Sequence, residues 1–306
     1  MKKFIISLLS LISIISVSSA QESNSQQFFE LPIVPDSIKT LQNRCDYMIT
    51  HYWDFCDLKK AFSSRDKMAD SFDMYLSFMP YASANSVFNS VDNFIKRISK
   101  KPDDVLFVAQ MAESKLYSDS AEYQSEQLYY HFLSGLLKQK KFKKDARPYY
   151  EKQAKILANS QEGMIVPQFE YISTDGVRTE FTPATTHLTT VLMFVTPGQT
   201  DSDMAKLRLS ADYKTADLVE AGRVRIVCIA VDNGDTPLSE TKGWQTGYAE
   251  NIHEIFDIRA TPMLYILDSD GKILKKGSDV DPVLNVMQLL RVPRKKKTEF
   301  EATTVE

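Results

Sequence analysis

The spacing of hydrophobic residues divides this chain into two parts. Before residue 160, apolar residues recur every three to four positions, which is the spacing of an amphipathic helix. One such series consists of Ile38, Leu41, Cys45, Met48, Ile49 and Tyr52. Further helices are predicted at 67–79, 84–98, 103–116, 125–137 and 145–158. No segment before about residue 165 has strand-like alternation, so residues 28–160 are predicted to form an all-α helical domain.

Short apolar segments separated by turn residues follow Gly163. The segments 169–173 and 177–181 flank Thr174-Asp175-Gly176, an Asp-Gly hairpin signal. A second hairpin is predicted at 263–267 and 272–276, with further strands at 188–195 and 223–231 and helices at 204–221, 239–256 and 282–290. This order predicts an α/β domain at 161–292, whose central mixed sheet contains a parallel pair and is flanked by helices. The polar segment 293–306 is predicted to be a disordered tail.

The first 20 residues have the features of a signal peptide. Lys2 and Lys3 precede an apolar segment at 4–17, and small residues ending at Ala20 provide a cleavage site. The apolar segment is shorter than the roughly 20 residues that a membrane-spanning helix needs. No cysteine follows it, so we expect no lipid anchor. The mature protein is therefore expected in the periplasm or outside the cell, without a membrane span.

The net charge and the cysteine content limit which functions and which disulfides are expected. The net charge of −3 is too small to indicate nucleic-acid binding. The cysteine count is odd, and Cys45 and Cys56 would lie about 16 Å apart on a single helix. A disulfide requires Cα atoms about 4.4–6.8 Å apart, so the two cannot pair unless that helix breaks between them. Cys228 lies in the apolar segment VRIVCIAV and is predicted to be a small buried hydrophobic residue.

Several segments of the second domain resemble the thioredoxin-like superfamily, and in particular its exported thiol–disulfide oxidoreductases. The hairpin PQFEYISTDGVRTEF, the strand VLMFV followed by Pro197, and Ile258-Arg259-Ala260-Thr261-Pro262 followed by MLYILDSDGKIL carry the resemblance. It implies a cis proline at Pro262 beside the redox site. The segments HYWDF and ESKLYSDSAEYQSEQLYYHFLSGLL resemble an uncharacterised helical domain that precedes thioredoxin-like domains in exported bacterial proteins.

The redox motif of that superfamily is where this sequence departs from it. The resemblance places the two redox cysteines at Gln199 and Ser202, so that Gln199-Thr200-Asp201-Ser202 stands in place of C-x-x-C. An amide and a hydroxyl can neither form the reactive thiolate nor resolve a mixed disulfide. A serine nucleophile also needs a neighbouring base, and nothing in the sequence places His187 or His253 beside Ser202. We therefore predict no catalytic residue here.

Each candidate feature also has a structural interpretation. Thr200, Asp201 and Ser202 are suited to cap the following helix. Thr261-Pro262 is either a structural turn or an edge where an extended peptide pairs with the backbone. The histidines are scattered and Asp268-Ser269-Asp270-Gly271 lacks the rest of a calcium loop, so we expect no metal and no cofactor.

Three hypotheses follow. The favoured one is a non-catalytic binding or scaffold module for a protein or peptide in the cell envelope, docking near Gln199–Ser202 and Thr261-Pro262. The second is a thiol–disulfide oxidoreductase or isomerase that uses the displaced cysteines Cys45, Cys56 or Cys228. The third is a structural envelope protein whose only activity is assembly.

Overall fold

The computed structural model describes residues 29–98, 101–118, 120–232 and 236–292. The predicted signal peptide at 1–20 and the predicted tail at 293–306 lie outside these ranges. The chain divides into two compact units, Met1–Ala154 and Lys155–Glu306, in agreement with the predicted two-domain organisation.

The described part of the first unit is helical, as predicted. Its helices are α1 (Leu41–His51), α2 (Leu58–Ala61), α3 (Arg65–Phe78), α4 (Ala84–Ile98), α5 (Pro102–Leu116), α6 (Glu126–Leu137) and α7 (Arg147–Ala158), which continues into the second unit. Buried aromatic rings form the centre, where Trp53 stacks on Phe94 with ring centroids 4.6 Å apart and Phe72 packs edge-on against Phe132 at 5.6 Å. Such pairs stabilise a core beyond the burial of their area.

A seven-stranded mixed sheet forms the centre of the second unit, in the order β2-β1-β5-β4-β3-β6-β7. The strands are β1 (Phe169–Ser173), β2 (Arg178–Phe181), β3 (Thr189–Val195), β4 (Val224–Ala230), β5 (Gln245–Tyr248), β6 (Met263–Leu267) and β7 (Ile273–Gly277). The helices are α8 (Thr200–Ala211), α9 (Tyr213–Glu220) and α10 (Asp281–Leu289). The predicted parallel pair is confirmed as β3 with β4, and both predicted hairpins form.

Strand β3 is buried on both faces because the sheet has an apolar cluster on each side. Successive side chains alternate between the faces of a strand. Leu192 and Phe194 accordingly join one cluster with Phe256 and Tyr265, whereas Val191 and Met193 join the other. The second cluster also contains Leu209 of α8 and therefore anchors that helix to the sheet.

The predicted helix at 239–256 is wrong. The segment instead contains β5, followed by a short 3₁₀ helix at Ile252–Glu254. Strand β5 pairs in parallel with β4 and antiparallel with β1, so its hydrogen bonds come from residues distant in sequence. A side chain at Gly247 would place its Cβ only 2.3 Å from the carbonyl oxygen of Ile172, so this pairing requires glycine.

The predicted single helix at 204–221 is also wrong, because the chain forms two helices there. Asp212 has an extended backbone, with φ −74° and ψ 111°, and separates α8 from α9. Its carboxylate accepts hydrogen bonds from the backbone N–H of Thr215 at 2.8 Å and from the Thr215 hydroxyl at 2.7 Å. Asp212 thereby caps the second helix and competes with continuation of the first.

Candidate functional site

A tight turn carries the chain from β3 into α8. The N–H of Gln199 donates to the carbonyl of Thr196 at 3.1 Å, and Gly198 has φ +83°. Pro197 before a glycine with positive φ is the arrangement of a type II turn. The turn delivers the chain directly to the first turn of α8, which begins at Thr200.

Four polar side chains close a hydrogen-bond network over this turn. The Ser202 hydroxyl donates to Gln199 Oε1 at 3.1 Å and accepts from the Thr196 N–H at 3.2 Å. The Thr261 hydroxyl donates to Gln199 Oε1 at 2.5 Å and lies 2.9 Å from Thr196 Oγ1. A hydroxyl has one proton but can also accept, so the Thr196 hydroxyl can donate to Thr261 and complete the network. The network joins the two positions assigned to redox cysteines, Gln199 and Ser202, to Thr261.

The predicted capping role of Thr200, Asp201 and Ser202 is wrong. The N-cap residue of α8 is Gln199, and its side chain forms no capping hydrogen bond. Ser202 is 1% exposed and faces back toward Thr196, because its hydroxyl satisfies a backbone N–H within the turn. Thr200 and Asp201 are exposed. The serine therefore stabilises the turn rather than the start of the helix.

Thr261 brings an unpaired stretch of backbone to the same place. The peptide bond to Pro262 is cis, as the resemblance implied, and Pro262 is buried. Within the described residues, the backbone N–H and C=O of Thr261 have no hydrogen-bond partner. Thr261 is partly exposed, so these groups can pair with an extended segment laid beside them.

A buried ion pair anchors the loop that leads to Thr261. Lys276 Nζ of β7 lies 2.8 Å from Asp257 Oδ2, with side-chain exposures of 8% and 1%. The Asp257 N–H donates to Ser160 Oγ at 2.9 Å, and the Tyr265 hydroxyl donates to the Asp257 carbonyl at 3.2 Å. Arg259 Nε lies 3.5 Å from the other carboxylate oxygen of Asp257. These contacts fix the start of the loop 257–262 against the sheet.

No described residue activates Ser202 as a nucleophile. Its hydroxyl is held by Thr196 and Gln199, neither of which is a base. His187 bonds instead to the Thr185 hydroxyl at 2.7 Å, and burial lowers its pKa, with a smaller effect of Arg225. His253 is exposed in the 3₁₀ helix. A serine hydrolase mechanism therefore lacks its general base here.

The three cysteines are free and buried, as predicted for Cys228. Burial raises the pKa of Cys45 and of Cys56 to about 11 each, and that of Cys228 to about 12. The reactive form of a cysteine is the thiolate, so thiols with these values are almost entirely protonated near neutral pH. Cys45 and Cys56 do not lie on one helix, because α1 ends at His51, before Cys56. The spacing expected for a single helix therefore does not apply to them.

Sequence reasoning missed several residues that shape this site. Thr196 belongs to the network, and Lys206 and Ser239 form a contact beside it. The Thr-Pro-Gly order after an apolar strand is a local signal for the turn. No local signal identifies the contact between Lys206 and Ser239, because the two residues are distant in sequence.

Across the ranges that the structure describes, no group of His, Cys, Asp and Glu side chains could hold a metal ion. None of the helices in those ranges combines the length and apolar character needed to cross a bilayer.

The fold of this chain is similar to that of a solved structure. The crystal structure of a thioredoxin-like protein from Bacteroides caccae covers 87% of this chain and 100% of its own, with a TM-score of 0.68 at 15% identity. The second unit has a thioredoxin-like fold. The predicted resemblance and fold class are thereby confirmed. At this identity the likeness concerns the fold alone.

Two of the other matches cover less than half of the chain. The thioredoxin domain of a thiol-disulfide oxidoreductase from Bacteroides vulgatus covers 41% of this chain and 96% of its own, at 14% identity and a TM-score of 0.33. A thiol:disulfide interchange protein from Bacteroides sp. covers 47% and 98%, at 14% identity and a TM-score of 0.35. Residues 13–160 match a family described as a domain of unknown function, DUF5106. No curated protein matches the sequence.

Proposed function

We propose that this protein is a non-catalytic binding module, whose thioredoxin-like domain holds an extended segment of a partner protein beside Thr261. The unpaired backbone N–H and C=O of Thr261, next to a turn without thiols, carry this proposal. An extended segment that pairs with both groups gains two backbone hydrogen bonds. This is the usual way in which a strand is added to an exposed backbone edge.

The polar network supports binding without thiol chemistry. Gln199 Oε1 accepts from both Ser202 and Thr261, so the site has a fixed polar floor that needs no redox partner. The floor is tied to α8 on one side and, through the loop 257–262, to the Asp257–Lys276 pair on the other. Groups held in place in this way lose little conformational entropy when a ligand binds.

The sequence at 1–20 supports a partner in the cell envelope. A cleaved signal peptide would deliver the protein to the periplasm or the exterior, where unpaired segments of other exported proteins are available. The buried cysteines argue against the alternative of thiol–disulfide exchange through displaced thiols.

Site-specific photo-crosslinking tests this proposal. We would express the chain from residue 21 with Thr200→p-benzoylphenylalanine, because Thr200 is exposed at the start of α8 beside the network. The matched control is Ala211→p-benzoylphenylalanine, an exposed residue at the opposite end of the same helix. Crosslinking to an envelope protein is expected from position 200 and not from position 211.

Hydrogen exchange of the isolated complex then locates the contact. The Thr261 amide is expected to exchange freely in the free protein and slowly in the complex, because it gains an acceptor. Equal crosslinking from both positions, or an unprotected Thr261 amide in the complex, would contradict the proposal.

A further inference from the structure

A cleft of about 440 Å³ opens beside the turn, between α8 and residues 236–241. Its lining includes Gly198, Asp203, Lys206, Ser239 and Glu240. The volume lies in the range of about 300–1,000 Å³ that is typical of ligand sites. The cleft contains charged groups of both signs, which sets it apart from the neutral network over the turn.

Lys206 is the unusual member of this lining. The residue is only 8% exposed. Its ammonium donates to the carbonyl oxygen and, at 2.7 Å, to the hydroxyl of Ser239. An ammonium has three N–H donors. The two oxygens of Ser239 occupy two of them, so the third donor can bind a ligand.

The charge of Lys206 has no counter-ion in the described chain. No carboxylate of the described residues lies within the 4.0 Å of an ion pair from its Nζ. A buried charge without an opposite charge is costly, and a carboxylate that approached through the cleft would remove that cost. The first turn of α8 also lines the cleft, and the dipole of this 12-residue helix favours negative charge at that end.

Two carboxylates line the same cleft as Lys206. Asp203 Oδ1 accepts from the Gly198 N–H at 3.4 Å, and Glu240 Oε1 accepts from the Thr174 hydroxyl at 3.0 Å. Both residues are exposed, so their remaining oxygens can accept from a ligand cation. The cleft therefore matches a carboxylate that has a positive charge close to it.

We propose that this cleft binds the C-terminal carboxylate of a peptide that carries Lys or Arg among its last residues. The carboxylate lies against Lys206, and the basic side chain lies against Asp203 and Glu240. This inference rests on the proposed function, because it names which part of a partner is recognised next to the Thr261 edge.

Fluorescence anisotropy with defined peptides tests the carboxylate. The probes are fluorescein-labelled Ala-Ala-Lys-Ala as the free acid and as the C-terminal amide, and the protein is the chain from residue 21. Loss of a charge-assisted hydrogen bond costs about 1.5–3 kcal/mol, so the free acid should bind at least about tenfold more tightly than the amide. Unlabelled free lysine should compete poorly, since it lacks the peptide chain. Effective competition would assign the cleft to a free amino acid and overturn the peptide.

Two matched lysine variants test the role of Lys206. Lys206→Met keeps a long apolar stem, removes the charge, and should abolish the preference for the free acid. Lys242→Met changes an exposed lysine that directly follows the cleft residues 236–241, and it should leave that preference intact. Should Lys206→Met fail to fold, the comparison of the free acid with the amide, made with the unaltered protein, still tests whether the cleft binds a carboxylate.

The outcomes separate the two proposals. Equal binding of acid and amide, with no effect of Lys206→Met, would overturn the carboxylate site and leave binding at Thr261 untouched. A preference for the free acid without protection of the Thr261 amide would retain the cleft and contradict the proposed function. Absence of binding by both peptides would overturn the cleft.

Discussion

At the scale of single residues, the three thiols decide between binding and thiol exchange. Their pKa values of about 11 to about 12 predict that native protein resists iodoacetamide at about pH 8. Burial adds a steric barrier, since Cys45 is 1% exposed and Cys228 is 0% exposed. Intact-mass spectrometry should show no adduct on the native chain and three adducts on the denatured chain.

This prediction also bears on the alternative enzyme. Rapid modification of any one thiol in the native protein would reopen the oxidoreductase hypothesis. The decisive control would then be disulfide-reductase turnover on a protein disulfide before and after alkylation. Turnover that alkylation removes would contradict the non-catalytic proposal.

At the scale of the elements, the turn before α8 depends on Gly198. An alanine there would have a positive φ, which costs about 1–2 kcal/mol, and its Cβ would lie 3.0 Å from Thr236 Oγ1. Gly176 has the same φ of +83° with nothing within 4 Å, so Gly176→Ala isolates the backbone cost. We expect Gly198→Ala to lower the free energy of unfolding more than Gly176→Ala does.

Chemical denaturation measures this difference, with Trp244 fluorescence followed in a shared Trp53→Phe background. A Thr236→Ala background should reduce the cost of Gly198→Ala and leave that of Gly176→Ala unchanged, because only the first contact involves Thr236. Equal costs for the two alanines would mean that the turn and Thr236 do not constrain each other.

The loop that carries Thr261 depends on the Asp257–Lys276 pair. Asp257→Asn removes the carboxylate partner of a lysine that is 8% exposed, and loss of one member of such a pair costs about 3–5 kcal/mol. The double variant Asp257→Asn/Lys276→Met should recover part of that loss, since the buried charge of Lys276 is then removed as well. Denaturant midpoints of the C-terminal unit provide the measurement.

An exposed pair provides the control. Arg178 and Glu170 lie 3.0 Å apart with side-chain exposures of 75% and 61%, so Glu170→Gln should cost no more than about 1 kcal/mol. If Asp257→Asn costs as little as Glu170→Gln, the buried pair does not anchor the loop.

These elements also show what the sequence could and could not predict. Strands β3, β4 and β6 are apolar and bounded by turns, so periodicity placed them within a residue or two. Strand β5 is short and contains Gly247. Its hydrogen bonds to β1 and β4 hold it in place, and a local pattern does not reveal such bonds. Asp212 ended a helix through a capping bond to Thr215 that competed with an otherwise continuous helical pattern.

The same limit applies to the site. The positions Gln199, Ser202, Thr261 and Pro262 were available from the motif order, and the structure brings Gln199, Ser202 and Thr261 together. The direction of the Ser202 hydroxyl could not be predicted from the motif order, because it depends on the exact path of the turn from Thr196. The cleft at Lys206 depends on a contact across 33 residues of sequence, so only the folded chain reveals it.

At the scale of the whole molecule, the thioredoxin-like fold allows a test of the predicted redox positions, Gln199 and Ser202. Gln199→Cys/Ser202→Cys would place one thiol at the N-cap of α8 and the other in its first turn. The helix dipole lowers the pKa of a thiol at that end, and a second thiol one turn away can resolve a mixed disulfide. We therefore expect the double variant to form an intramolecular disulfide and to catalyse reduction of insulin by dithiothreitol.

The parent and each single variant should stay at the uncatalysed rate, since dithiol exchange needs both sulfurs. The substitution at Ser202 also removes the oxygen that accepts from the Thr196 N–H, so the double variant should be less stable than the parent by about 1 kcal/mol. A folded double variant that forms no intramolecular disulfide would show that Gln199 and Ser202 do not correspond to the two redox positions. Gain of turnover would instead mean that the two sulfur atoms are all that this site lacks for thiol–disulfide exchange. The proposed non-catalytic function requires this result, because it attributes the lack of exchange to Gln199 and Ser202 alone.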